Sequence, residues 1–164
     1  MPSDSFWDVA ISPFVKRLRE RVGNELLVLP SVSVIPRDPE GRLLLVQIID
    51  TGNWATIGGA VEPDESPQAA ACRKAEEEAG VTLQLGSVLG VLGGPEYRVT
   101  YPNGDKTAYV VTVFGATVQS GTPKPDHEET SDVGWFAPEQ LPFDRMGRLA
   151  KALFRDIGFG NGGI

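Results

Sequence analysis

Apolar residues first recur at helical spacing: Phe14, Val15, Leu18 and Val22 share one face of a segment that Ser12 and Pro13 open and Gly23 stops. These are residue types that cap, begin and end helices. The opposite face carries Lys16, Arg17, Arg19 and Arg21 and is expected to be solvated. From Glu25 the period changes. The runs 26–29, 31–35 and 42–49 are short and aliphatic or β-branched, broken by Pro30, Pro36 and Gly41, and read as strands. Arg37-Asp38-Pro39-Glu40-Gly41 has turn chemistry, so the strands on either side are expected to form a hairpin.

A short strand at 54–61, containing Gly58-Gly59, leads to Pro63-Asp64-Glu65-Ser66-Pro67, which supplies turn and capping residues before a helix at 68–79 ended by Gly80. Strand-like runs follow at 81–85, 88–92, 97–101 and 109–118. Pro102-Asn103-Gly104-Asp105 joins the last two as a hairpin. A polar loop at 124–129, a strand at 133–136 and a helix at 145–154 complete the order. Strands of mixed direction with a few packed helices define an α/β (α+β) sandwich. The expected organisation is a helical extension over 1–24, one domain over 25–157 and a flexible tail over 158–164.

Length and charge narrow the function. A chain of 164 residues can bury a core without disulfide or structural metal. The lone Cys72, among alanines, reads as a small buried residue, which suits a reducing cytoplasm. A net charge of −7 opposes binding to long nucleic acid, which needs clustered cations. No segment resembles a secretion signal or a membrane span, so a cytoplasmic location without membrane attachment is expected. Small phosphorylated ligands stay open, because a divalent cation can screen phosphate from protein carboxylates.

The chemistry lies in Gly59-Ala60-Val61-Glu62-Pro63-Asp64-Glu65 and, seven residues later, Arg73-Lys74-Ala75-Glu76-Glu77-Glu78-Ala79-Gly80-Val81. Helical spacing puts Arg73 beside Glu77, and Lys74 beside Glu77 and Glu78. Paired carboxylates on one face invite a cation such as Mg²⁺. This stretch resembles the Nudix box: Gly, five residues, Glu, seven residues, Arg-Glu, an aliphatic, any residue, Glu-Glu, any residue, Gly and an aliphatic. Gly59, Glu65, Arg73, Glu77, Glu78 and Gly80 stand at the fixed positions, with Ala75 and Val81 at the apolar ones. Each fixed position is matched by chance in roughly one case in fifteen, so six together are not accidental. Gly52-Asn53-Trp54 before the box and Asp132 to Phe136 after it extend the likeness.

The resemblance implies a Nudix-type α/β/α sandwich with a mixed central sheet, and hydrolysis of the diphosphate linkage of a nucleoside diphosphate linked to another moiety, with Mg²⁺ or Mn²⁺. It gives metal binding to Glu77, Glu78 and the carbonyl of Gly59, and has Arg73 hold a box carboxylate and Glu65 fix the loop. Either Glu128 or Glu129 is the further acidic ligand or general base. Trp54, Tyr97 and Tyr101 are candidates to stack on a base, and homodimers are common in the family. Pro95 and Tyr97 stand where substrate markers of two different Nudix groups occur, and they conflict. Two positions depart from the pattern. Ile57 replaces a frequent Pro, and Lys74 stands where the family usually has a catalytic Glu. An ammonium there weakens cation binding and cannot act as that carboxylate. Lys74 is therefore a candidate phosphate-binding residue, and the alternative function is a catalytically weak nucleotide-binding or regulatory module.

Overall fold

The computed structural model describes residues 11–159. Among these residues, eight strands form two sheets. In chain order the elements are α1 (Pro13–Val22), β1 (Leu27–Pro36), β2 (Leu43–Ile48), β3 (Trp54–Ala55), β4 (Ile57–Ala60), α2 (Pro67–Ala79), β5 (Thr82–Leu92), β6 (Arg98–Thr100), β7 (Lys106–Ser120), β8 (Thr130–Phe136) and α3 (Arg148–Asp156). The larger sheet is mixed and built around β7. It pairs in parallel with β1 along one edge and antiparallel with β5 and β6 along the other, while β4 pairs antiparallel with β1. The smaller sheet, β3-β2-β8, is antiparallel. The α+β sandwich with a mixed sheet is therefore the fold of this chain.

Helix α2 packs on β4, β1, β5 and β8. Its buried face is mostly alanine, with Ala70, Ala71, Ala75 and Ala79 each fully buried, so the helix backbone can approach the sheet closely. Ser66 caps its first turn by accepting from the Ala69 amide, and Gly80, at φ 65°, ends it in the left-handed conformation glycine adopts without strain. Leu43 to Val46, Val32, Val34, Ile57 and Phe154 form the centre of the core.

Several expectations are corrected. Arg37 to Gly41 does make a turn, with Asp38 and Arg42 bonded across it, but β1 and β2 join different sheets and share only the Arg37–Leu43 bridge. Pro30 does not break β1. Its carbonyl accepts from the Val61 amide, so its nitrogen points to that side as well, beyond the end of β4, and no ladder bond with β7 is lost. The runs 81–85 and 88–92 are one strand with register shifts. Residue 145 lies in a short 3-10 turn ahead of α3. Cys72 is half-buried. Of the tail, Gly158 and Phe159 are described: the Phe159 ring meets Phe154 edge-on at 6.0 Å, and Arg37 lies over it at 5.8 Å. Residues 160–164, like 1–10, lie outside the described residues.

Candidate active site

Arg73 ties the box loop to α2. Its Nε and Nη2 donate to the two oxygens of Glu65 at 2.7 and 3.0 Å, Nη2 also reaches the Ala60 carbonyl at 3.2 Å, and Nη1 donates to Glu77 at 3.2 Å. The guanidinium hydrogen bond is the main cause holding the Glu65 carboxyl below its ordinary range, against the opposing pull of burial. The Glu62 amide donates to Glu65 as well, at 3.1 Å.

Lys74 points inward. Its side chain is only 9% exposed, and its Nζ lies 3.0 Å from Glu129, 3.1 Å from Glu77 and 3.5 Å from Glu78. The stem runs over Gly59, where a Cβ would fall 3.0 Å from Lys74 Cε and 3.1 Å from Cδ, so glycine is the residue that leaves room for it. Burial disfavours the ammonium, but Glu78, Glu129 and Glu77 outweigh it and hold Lys74 above its usual pKa. Glu78 has the Gly58 amide at 3.0 Å as its other partner. Burial pushes its carboxyl up to about 8 despite Lys74 and that amide. Beside this buried pair, the further carboxylates of Glu77 and Glu129 favour the charged form of Lys74.

The loop after β7 closes the arrangement. Asp126 Oδ1 accepts from the amides of Glu128, Glu129 and Thr130, each at 2.9 Å. The Thr130 hydroxyl donates to the Glu78 carbonyl at 2.8 Å, which fastens the loop to the last turn of α2. Glu129 is thereby held against Lys74. The Glu128 carboxylate lines the cavity and has no hydrogen bond or ion pair among the described residues. His127 is exposed in the same loop.

These groups line a cavity of about 800 Å³. Arg73, Lys74, Glu77, Glu128 and Glu129 contribute to its wall, as do Tyr101 and Tyr109, whose hydroxyls are hydrogen-bonded to each other. Helix α1 contributes Val15 and Arg19. Arg19 is not on a solvated face: it donates to the carbonyls of Gly23, Glu25 and Lys106 and to the Thr107 hydroxyl, and pairs with Asp105. Trp54 and Tyr97 belong to the core and not to this wall. Trp54 is 6% exposed against Phe136, and Tyr97 is 2% exposed with its hydroxyl on Asp156. Aromatic residues in strands look alike whether they face a core or a ligand, and the difference is set by long-range packing. The sequence places Arg19 on a basic helix face and Asp126 in a polar loop but assigns neither to the site; for Asp126 the local signal is its spacing to Thr130.

The position the family resemblance gives to a divalent cation, beside Glu77, Glu78 and Gly59, is filled here by the Lys74 stem and ammonium. As placed, these side chains do not fit a divalent ion there. Among the described residues no three Asp, Glu, His or Cys side chains group as a metal-binding set.

Residues 28–156 match the NUDIX domain, and the chain belongs to that family. It is 29% identical over 119 residues to a MutT-like protein of Streptomyces ambofaciens, covering 73% of this chain and 70% of the relative. It is 31% identical over 109 residues to the nucleoside triphosphatase NudI of Escherichia coli (strain K12 / DH10B), covering 62% of this chain and 77% of that one. Among solved structures, a MutT NUDIX hydrolase from Burkholderia pseudomallei superposes with a TM-score of 0.59 at 28% identity, over 70% of this chain and 87% of the other. No described helix is long and apolar enough to cross a membrane.

Proposed function

We propose that the chain hydrolyses the diphosphate linkage of a small nucleotide, held in the cavity that α2, the 126–130 loop and the Tyr101–Tyr109 pair share. The observation that carries this reading is the convergence of Arg73, Lys74, Glu77 and Glu128 on one cavity of about 800 Å³, a size that takes a nucleotide. Tyr101 and Tyr109 offer apolar ring surface, and Arg73 and Lys74 offer positive charge for phosphate. Glu128, whose carboxylate lines the cavity beside Lys74 and Glu129 without a partner among the described residues, is the general base. The water oxygen bonds to phosphorus as its proton passes to Glu128, and the bridging oxygen leaves with the electrons of the broken P–O bond.

Both a nucleoside triphosphate, the substrate class in the name of the NudI relative, and a nucleoside diphosphate joined to another group contain such a linkage. A second reading, a nucleotide-binding module of little turnover, is favoured by one observation: Lys74 holds Glu129 at 3.0 Å, so one of the two candidate bases is already engaged. The test is a panel of both nucleotide classes incubated with the full chain in Mg²⁺, in Mn²⁺ and in chelator, with phosphate products and bound nucleotide measured separately. Product from at least one compound supports hydrolysis. Binding without product selects the module, and neither binding nor product rejects both.

A further inference from the structure

We propose that Lys74 is the resident cation of this site, replacing the box-bound divalent ion that the family pattern implies and leaving phosphate to be held directly by Arg73 and Lys74. The ammonium has three N–H donors, and three carboxylates stand around it, with Glu129 at 3.0 Å, Glu77 at 3.1 Å and Glu78 at 3.5 Å. A strongly hydrated point charge stays in a pocket where its side chain is 9% exposed only when counter-charges offset its lost hydration, and here carboxylates face it from two sides, Glu77 and Glu78 on α2 and Glu129 on the loop before β8. The seat is shaped for it: the stem lies on the bare backbone of Gly59, within 3.1 Å of where a Cβ would be.

A carboxylate at position 74 together with a divalent ion sums to −1 + 2 = +1, and the lysine alone carries +1. The substitution therefore supplies the charge of the metal-loaded pattern without metal. A divalent ion entering now would have to displace Nζ from its carboxylates and lie beside a like charge.

Glu77 shows where phosphate enters. It is the exposed member of the cluster, at 43%, and it bridges Lys74 at 3.1 Å and Arg73 at 3.2 Å on the cavity wall. A phosphate arriving through the cavity competes with that one exposed carboxylate for both cations, meeting Arg73 through Nη1, the nitrogen that Glu65 and the Ala60 carbonyl leave to Glu77.

The phosphate part of this proposal rests on the nucleotide reading above; the cation part does not. The test titrates Mn²⁺ into the full-length parent, Lys74→Glu and Lys74→Gln by calorimetry, and ADP and ATP into the parent in chelator and in Mg²⁺. Expected are Mn²⁺ affinity at least about tenfold weaker in the parent than in either variant, and nucleotide affinity in the parent within about threefold with and without Mg²⁺. If Lys74→Glu fails to fold, Lys74→Gln, which removes charge without adding a carboxylate, carries the comparison. Mn²⁺ binding by the parent as tight as by the folded variants overturns the proposal, and so does nucleotide binding that needs Mg²⁺. If no nucleotide binds the parent under any condition while the Mn²⁺ difference stands, the cation assignment is supported and it is the nucleotide reading that falls.

Discussion

At the scale of single residues, Arg73 and the two loop glutamates divide the work of the site. Arg73 spans Glu65, the Ala60 carbonyl and Glu77 with one rigid fork, and a lysine there keeps the charge but can reach only one of them. Arg73→Lys is therefore expected to cost about 1–2 kcal/mol, since charge-assisted hydrogen bonds are each worth roughly that much. In a chain of this size the thermal midpoint falls by about 2–4 °C per kcal/mol, which calorimetry would show. An unchanged midpoint would mean the fork is decorative. Glu128→Gln should lower turnover by roughly 10²-fold with stability unchanged, because only a free carboxylate is removed. Glu129→Gln should do the reverse and chiefly lower stability, by about 1–3 kcal/mol, because it takes a partner from a buried ammonium. Turnover lost in the second variant and kept in the first would assign the base wrongly here. Spacing along one helix made Arg73, Glu77, Glu78 and the odd Lys74 legible in the sequence. The choice between Glu128 and Glu129 was not, because it depends on which of two adjacent side chains faces α2 from a loop fifty residues on.

At the scale of elements, the short loop between β7 and β8 does more than its composition suggests. One oxygen of Asp126 collects three backbone amides, and the Thr130 hydroxyl then binds the Glu78 carbonyl, so the loop is rigid and tied to α2. Asp126→Ala leaves those amides without acceptor and is expected to cost about 1–3 kcal/mol and to reduce turnover, since Glu128 and Glu129 lose their placement. Asp126→Asn retains the acceptor oxygen and should recover most of both. Equal losses in the two variants, measured by thermal melting and by rate, would show that charge and not hydrogen-bonding geometry sets the loop. The elements legible from sequence were those fixed locally: α2 between Ser66 and Gly80, and the β6–β7 hairpin around Asn103-Gly104. The split of β1 and β2 into separate sheets was not legible. Turn chemistry at 37–41 determines that the chain reverses but not whether the strands then stay paired, and here β1 finds β4 and β7 while β2 finds β3 and β8.

For the whole molecule, the open question is how an N-terminal helix outside the matched domain comes to form part of the cavity wall. Helix α1 has no fully buried residue, and Phe14 and Val22, which its apolar pattern marks for burial, are 36% and 38% exposed. Val15 packs on the core, and Arg19 supplies the rest. Its guanidinium donates to the Glu25 and Lys106 carbonyls at 2.6 Å, to the Gly23 carbonyl and Thr107 hydroxyl at 3.1 Å, and lies 3.6 Å from Asp105. A single side chain thus fastens α1 to the start of β7, where Thr107, Tyr109 and Asp105 also line the cavity. Arg19→Ala removes those bonds and leaves their acceptors able to reach water, so a loss of about 1–2 kcal/mol is expected, confined to that corner. Amide exchange should quicken across Pro13–Val22 while the amides of α2 keep their protection, because local opening and global unfolding have different free energies. Nucleotide affinity should fall with it, since Val15 and Arg19 are part of the wall. If exchange in α1 stays at the parent rate, the helix is held by Val15 and its neighbours instead, and Arg19 is a bystander to its docking.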